Sequence, residues 1–243
     1  MFLASPEALG GDEIRLDGPE GRHAAVVRRI EAGEEIDVTD GAGTVVTCLV
    51  TEVGKAALTA QIRTRRSVAL PTPQLVVAQA VPKGDRGETA VETLTEVGVH
   101  EIIPWSAQRS VVRWKGDRRD KHVARWRSTA REAAKQSRRA WLPRVREPVD
   151  TTALAQLAAD ATLAVVLHET ATTPLAGLPI PADGTVVLIV GPEGGVSPDE
   201  ATSLTDAGAV LAHLGPTVLR TSTAGTVAAG VVLARTAGWN RSE

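Results

Sequence analysis

The pattern of apolar and polar positions changes character once along the chain, and the change divides it in two. Before residue 70 the apolar residues fall in short β-favouring runs, at 35–40, 44–53 and 56–66, separated by Asp40-Gly41-Ala42-Gly43 and Gly54-Lys55. Runs of that length, broken by turn-forming sequences, predict a hairpin or small barrel. Residues 21–30 predict a short helix. Leu70-Pro71-Thr72-Pro73 is a stiff connector and marks the domain boundary. Beyond it, apolar strand-like runs at 75–81, 101–105, 162–168, 185–190 and 210–214 alternate with helical segments. In the first of these helices, 86–97, Ala90, Val91, Leu94 and Val97 share one face. A long basic helix covers 121–139, Asp150 caps a helix to 159, and the last helix covers 223–236. Ser197-Pro198-Asp199-Glu200 opens another, in capping-box form with proline at the first helical position. Such alternation predicts an α/β domain with a largely parallel sheet covered by helices on both faces.

Two strand-to-helix junctions are rich in glycine: Val190-Gly191-Pro192-Glu193-Gly194-Gly195-Val196-Ser197 and Leu214-Gly215-Pro216-Thr217-Val218-Leu219-Arg220-Thr221. One such loop alone is a tight turn as readily as a ligand loop. Two of them, after strands of one sheet, can line a single small-molecule site at the strands' carboxyl ends, where open α/β sheets bind ligands. Neither loop has the Gly-x-Gly-x-x-Gly form of a dinucleotide site or the Gly-Lys-Ser/Thr of a P-loop. Arg220 lies between the second loop and the last helix. It is either a helix-capping surface residue or a guanidinium aimed at substrate oxygens or phosphate.

Composition narrows the chemistry. The 243 residues suffice for one large or two ordinary domains, and with no tyrosine and one phenylalanine the core must be aliphatic. Cys48 is the only cysteine, which excludes an internal disulfide and any multi-cysteine metal site and suits a reducing cytosol. His100, His122, His168 and His213 are dispersed without metal-ligand spacing, so no metal is expected. Ser110, Ser137 and Ser197 lack a nucleophile-elbow context. The N-terminus has no signal-peptide form, and no apolar run approaches a membrane span, so a cytoplasmic location and no membrane partner are expected.

The net charge of −2 hides a strong asymmetry. Residues 83–146 are markedly basic, whereas after Glu147 only Arg220, Arg235 and Arg241 carry positive charge. The basic band contains Arg109, Arg113, Lys115, Arg118, Arg119, Arg125, Arg127, Arg131, Arg138 and Arg139, with Trp114 and Trp126 interleaved. A solvated helix face is one reading. Too few acids accompany these residues to pair them all, and arginines with indoles can grip phosphates and stack on bases, so nucleic-acid contact is the other. Arg22, His23, Arg28 and Arg29 put further charge on the short helix of the first domain.

Several motifs in one order carry a resemblance through nearly the whole chain. They are His23-Ala24-Ala25-Val26-Val27-Arg28 followed by Gly33 and Asp40-Gly41; Lys83-Gly84-Asp85-Arg86; Leu94-Thr95-Glu96-Val97-Gly98; Arg109-Ser110-Val111-Val112; Glu132-Ala133-Ala134-Lys135-Gln136-Ser137-Arg138-Arg139; and both glycine loops. In these the chain resembles the RsmE family, the 16S rRNA (uracil-N3)-methyltransferases of the SPOUT superfamily. The resemblance implies a PUA-like, RNA-binding β-barrel over 1–70. It implies a SPOUT methyltransferase domain over 74–243 with a deep trefoil knot, a feature that periodicity does not predict. It further implies a homodimer, packed through a last helix containing Ala228, Ala229 and Gly230, with the small ribosomal subunit as partner. The implied S-adenosyl-L-methionine site is Leu167, His168 and Glu169, then Gly191, Glu193, Gly194 and Gly195, then Leu214, Gly215, Leu219, Arg220, Thr221, Thr223 and Ala224. The RNA contacts would be Arg22, His23, Arg28, Arg29, Arg109, Arg113, Arg131, Arg138 and Arg139.

The implied reaction methylates N3 of a uridine. Arg220 would stabilise negative charge on the uracil, and Glu193 or Glu169 would accept the N3 proton. The family's second loop usually reads Leu-Arg-Thr-Glu-Thr-Ala, and here Ser222 replaces the acid. Three functions compete: this reaction, a related SPOUT methylation of another base or a ribose 2′-OH, and a non-catalytic RNA-binding or assembly factor.

Overall fold

The computed structural model describes residues 1–114 and 116–239. Lys115 and Arg241, counted above among the basic residues, lie outside the described residues. Contacts divide the chain into two compact units: Met1–Leu70 together with Ala134–Leu142, and Pro71–Ala133 together with the chain from Pro143 on.

The first unit contains β1 (Phe2–Leu3), β2 (Glu13–Leu16), α1 (Gly18–Arg22), β3 (Glu35–Thr39), β4 (Thr44–Val53) and β5 (Leu58–Ser67). Hydrogen-bonded ladders join the strands in the order β1-β3-β4-β5-β2. β1 runs parallel to β3, and the other pairs are antiparallel. The β3–β4 turn is set by Asp40, whose carboxylate accepts from the amides of Ala42 (2.7 Å) and Thr44 (3.0 Å). Burial raises the Asp40 pKa, and these hydrogen bonds more than reverse it, holding the carboxyl below its ordinary value. The helix expected over 21–30 is instead α1 continued by a π-helical turn, His23–Val27. The core gathers Ile14, Leu16, Ile36, Val38, Val46, Cys48 and Leu58. Within this unit Lys135 forms an ion pair with Glu20 at 3.0 Å, their side chains only 8% and 12% exposed.

The second unit contains β6 (Gln74–Ala80), α2 (Arg86–Val97), β7 (Glu101–Trp105), α3 (Asp117–Gln136), β8 (Arg144–Val145), α4 (Thr151–Asp160), β9 (Leu163–Leu167), β10 (Thr185–Val190), α5 (Pro198–Asp206), β11 (Val210–Ala212) and α6 (Thr221–Leu233); the last residues of α3 cluster with the first unit. Its six strands are all parallel, in the order β11-β9-β10-β6-β7-β8. Central β10 is buried along nearly its whole length, as a parallel strand covered on both faces must be. One face packs Leu75, Val77, Leu188 and Val190 against Val91 and Leu94 of α2, Trp126 of α3 and Ala228, Ala229 and Val232 of α6. The other packs Ala78, Ile103 and Ile189 against Leu154 of α4 and Leu204 of α5. Trp126 is 1% exposed and is therefore a core residue. Ala228 and Ala229 are fully buried in this chain's own core, which leaves neither of them for a partner's surface.

Candidate active site

β9, β10 and β11 end side by side, and the loops that follow them surround one cavity of about 720 Å³. Leu167, His168 and Glu169 line it after β9, and Gly191, Glu193 and Gly195 after β10. Leu214, Gly215, Leu219 and Arg220 line it after β11, with Thr221 and Ala224 from the first turn of α6. Both glycine loops therefore serve a single site. Gly195 (φ 72°) and Gly215 (φ 141°) hold left-handed backbone that bulkier residues disfavour. Two of the expected residues lie off the cavity lining. Gly194 packs behind it, where a Cβ would meet Arg109 Cβ at 3.1 Å and the Arg109 carbonyl oxygen at 3.2 Å. Thr223 is exposed, and its hydroxyl donates to the Arg220 carbonyl at 3.2 Å. Ser222 is buried, at 8% exposure, and also lies off the lining.

Arg220 is exposed at the N-cap of α6, where its carbonyl accepts from the amides of Thr223 and Ala224, both at 2.9 Å. Glu169 is exposed at the cavity edge. Glu193 is engaged: its Oε1 accepts from the Arg86 guanidinium and from the Lys83 amide, each at 3.2 Å. His168 and His213 are each fixed through Nδ1, which accepts from the amides of Thr170 (3.3 Å) and Gly215 (3.1 Å). A nitrogen that accepts is unprotonated, so in the neutral ring the hydrogen sits on Nε2.

Among the lining residues that the sequence did not place at the site are three with ionisable side chains: Arg86, Arg109 as a cavity residue, and His213. Arg86 opens a helix, where a charged residue reads as solvated, and its partner lies 107 positions away. The one available signal was its place in Lys83-Gly84-Asp85-Arg86. Behind the cavity stands Glu200, 5% exposed. It closes the capping box with Ser197, and its Oε1 also accepts from the Gln108 amide (2.7 Å) and the Thr151 hydroxyl (3.0 Å).

The candidate RNA-contacting residues fall in both units. Arg22, His23, Arg28, Arg29, Arg138 and Arg139 belong to the first, and Arg109, Arg113 and Arg131 to the second. Arg22, Arg28, Arg29 and Arg138 are exposed. Arg29 (φ 52°) and Arg138 (φ 56°) both hold left-handed backbone. Burial pushes the Arg139 guanidinium down to about 10. Burial also lowers the Met1 amine, with Asp37 opposing and Arg138, Arg28 and Lys135 adding to the effect, so these cations share one neighbourhood of the first unit. Other residues of the basic band are paired. Arg127 and Arg119 hydrogen-bond Glu147 and hold its carboxyl below the usual range. Arg125 pairs with Glu88 and Asp85, at 2.9 and 3.4 Å. Trp114 stacks on His122, their centroids 5.0 Å apart.

Among the described residues no cluster of three or more His, Cys, Asp or Glu is arranged to hold a metal ion. No helix among them is long and apolar enough to cross a membrane.

Residues 69–233 match the family model of an RNA methyltransferase domain, and residues 16–63 that of an RNA methyltransferase PUA domain. The chain is 46% identical over 232 residues to a ribosomal RNA small subunit methyltransferase E from Mycobacterium tuberculosis, covering 93% of this chain and 88% of that one. It is 31% identical over 218 residues to the protein of the same name from Bacillus subtilis, covering 86% and 85%. Among solved structures it is similar to a ribosomal RNA small subunit methyltransferase E from Neisseria gonorrhoeae bound to S-adenosyl methionine, with TM-score 0.85, 26% identity and 97% of each chain covered. A methyltransferase from Legionella pneumophila in complex with the same cofactor superposes with TM-score 0.86 at 30% identity over 96% of each chain.

Proposed function

Because this chain belongs to the ribosomal RNA small subunit methyltransferase E family, we propose that it transfers the methyl group of S-adenosylmethionine to N3 of a uridine in 16S rRNA of the small ribosomal subunit. The observation that carries the reading is the convergence of three strand-end loops on one cavity inside the stretch that matches the methyltransferase family.

The donor set suits this cofactor. Leu167, Leu214, Leu219, Val190 and Ala224 offer apolar walls for a purine, while the glycine loops expose backbone N–H and C=O groups to its polar edges. The volume lies in the range of small-molecule sites, roughly 300–1,000 Å³. The path of the chain supports a knotted arrangement: β11 lies outside β9 at the sheet edge, and α6 then returns to pack on β10, β6 and α2. In the same reading residues 1–70 provide the RNA-binding, PUA-like domain and 74–243 the methyltransferase domain of a cytoplasmic homodimer. Val227, 43% exposed on α6, faces outward where the neighbouring alanines do not.

When bound, S-adenosylmethionine supplies an electrophilic methyl group on a sulfonium. Neutral uracil carries a proton on N3, so the protein must take that proton or stabilise the anion. Arg220, on the lining and exposed, is placed to hold negative charge on O2 or O4 of the base. Glu169 accepts the N3 proton: among the described residues no ion pair engages it, whereas Glu193 Oε1 already accepts two hydrogen bonds. The loops orient the two reactants, which accounts for a large share of the barrier reduction in a two-substrate transfer.

Tritium transfer from labelled S-adenosylmethionine to unmethylated small subunits, with nucleoside analysis, tests the proposal. Label in 3-methyluridine is expected. Label in another nucleoside would move the chain to a different RNA methylation. No label, with cofactor and RNA both bound, would make it a non-catalytic RNA-binding factor.

A further inference from the structure

We propose that Arg86 and Arg109 form a clamp at the rim of the cavity for a phosphodiester of the substrate RNA; the RNA identity of that substrate rests on the function proposed above.

The first argument is charge. Arg86, Arg109 and Arg220 all line the cavity. S-adenosylmethionine carries a sulfonium, an ammonium and one carboxylate, so it is a net cation at neutral pH. Two carboxylates, Glu169 and Glu193, also line the cavity, so the guanidiniums exceed them by one, an excess that a net-cationic cofactor does not call for. The surplus therefore matches an anion brought by the second substrate. Arg220 has the role assigned above toward the uracil, and Arg86 and Arg109 stand beside it on the lining, Arg86 sharing its charge with Glu193.

The second argument is construction. The two arginines are tied to consecutive residues of one glycine loop. Arg86 donates to the Glu193 carboxylate and Arg109 to the Gly194 carbonyl, each at 3.2 Å. The close seat of Arg109 on Gly194 depends on glycine, because a Cβ there would meet Arg109 Cβ at 3.1 Å. A carboxylate holds Arg86 directly and the chain neighbour of Arg109. Glu193 also accepts from the Lys83 amide, and buried Glu200 accepts from the amide of Gln108, the residue before Arg109, at 2.7 Å. Each of these bonds uses one of the five N–H donors of its guanidinium, and the Arg86 side chain is 52% exposed. Two anchored guanidiniums with donors to spare match the oxygens of a phosphodiester and are already ordered before it arrives.

The test uses the full chain with R86A, R86K, R109A and R109K. Calorimetry gives the S-adenosylmethionine Kd of each, and filter binding gives the Kd for unmethylated 16S rRNA across about 50–200 mM KCl, the salt slope being the readout. Each alanine variant is expected to bind rRNA about tenfold more weakly and to lower the slope of log K against log salt by roughly one. The cofactor Kd should stay within about twofold, since no charge complementary to the cofactor is removed. The lysine variants should recover the slope and only part of the affinity, because an ammonium keeps the charge and loses the bidentate fork. A merely structural arginine would not move the slope. The clamp is overturned by unchanged rRNA affinity and slope, by a loss that falls on the cofactor Kd instead, or by wild-type protein with no salt-dependent affinity for rRNA. Absence of methyl transfer in wild type would defeat the proposed reaction while leaving these binding results to decide the clamp.

Discussion

At the scale of single residues, Arg220 and Glu169 separate chemistry from binding. If Arg220 stabilises charge that develops on the base, its removal costs turnover and leaves cofactor affinity nearly intact. Arg220→Ala is expected to slow single-turnover methyl transfer at saturating substrates by about 10²–10³-fold, the usual range for one charge-stabilising donor. Calorimetry on the same variant should show little change in cofactor Kd. Equal losses in both would make Arg220 a cofactor ligand. Cys48 makes the opposite kind of prediction. It sits in the core of the first unit at 0% exposure, and burial pushes its thiol up to about 11. At pH 8 roughly one thiol in a thousand would then be ionised, and the thiolate is the reactive form. Native protein should resist iodoacetamide at that pH and become labelled only on unfolding, as mass spectrometry would show. Both glycine loops, and the cavity they share, were legible in the sequence, because two such loops after strands of one sheet come together at the strands' carboxyl ends. The pairing of Glu193 with Arg86 was not, because a contact between residues 107 positions apart leaves no local trace.

At the scale of elements, agreement follows the strength of local signals. β4, α2, β7 and β10 occupy the spans expected of them, since each has clear periodicity and definite stops. The Asp150 cap of α4 and the Ser197 capping box of α5 are present as read. β1, β2 and β8 escaped notice. They are two to four residues long and exist by register with distant partners, as Phe2 does with Val38. α3 runs from 117 to 136 rather than from 121 to 139, ending three residues earlier, before Arg138, whose left-handed backbone cannot continue a helix. The capping box also yields a quantitative contrast. Ser197→Ala removes one cap and should cost about 1 kcal/mol. Glu200→Ala removes the reciprocal cap and also takes away the acceptor of the Gln108 amide and of the Thr151 hydroxyl, which keeps its bond from the Trp105 indole. With two further part-buried bonds to a carboxylate lost, it should cost more than Ser197→Ala, by about 1–3 kcal/mol. Urea midpoints at constant slope would measure both. Equal costs would reduce Glu200 to a helix cap and remove its role in holding the strand-end loop before Arg109.

At the scale of the whole molecule, the chain visits its first unit twice. Residues 1–70 carry the five-stranded sheet, and Ala134–Leu142 returns to finish it. The Lys135 ammonium meets the Glu20 carboxylate with both side chains nearly buried. The Thr39 hydroxyl donates to the Ala140 carbonyl at 3.2 Å, and the Trp141 indole donates to the Val68 carbonyl at 2.9 Å. The Leu142 amide donates to the Gly41 carbonyl, also at 2.9 Å. No composition shift or turn sequence near residue 70 announces this return, because the returning segment is the end of an ordinary-looking basic helix. The connector at 70–73 therefore marks where the chain changes pattern without marking an independently stable piece. A fragment of residues 1–70 would leave Glu20 without its lysine and the β3–β4 turn without its second set of partners. Of a length at which a single core is already marginal, it should show no cooperative thermal transition by circular dichroism. In the full chain Lys135→Met should destabilise by about 3–5 kcal/mol, the cost of removing one member of a buried ion pair, and Glu20→Gln in the same background should recover part of it. A 1–70 fragment that melts cooperatively near the full chain's temperature would show that the sheet is complete without the returning segment.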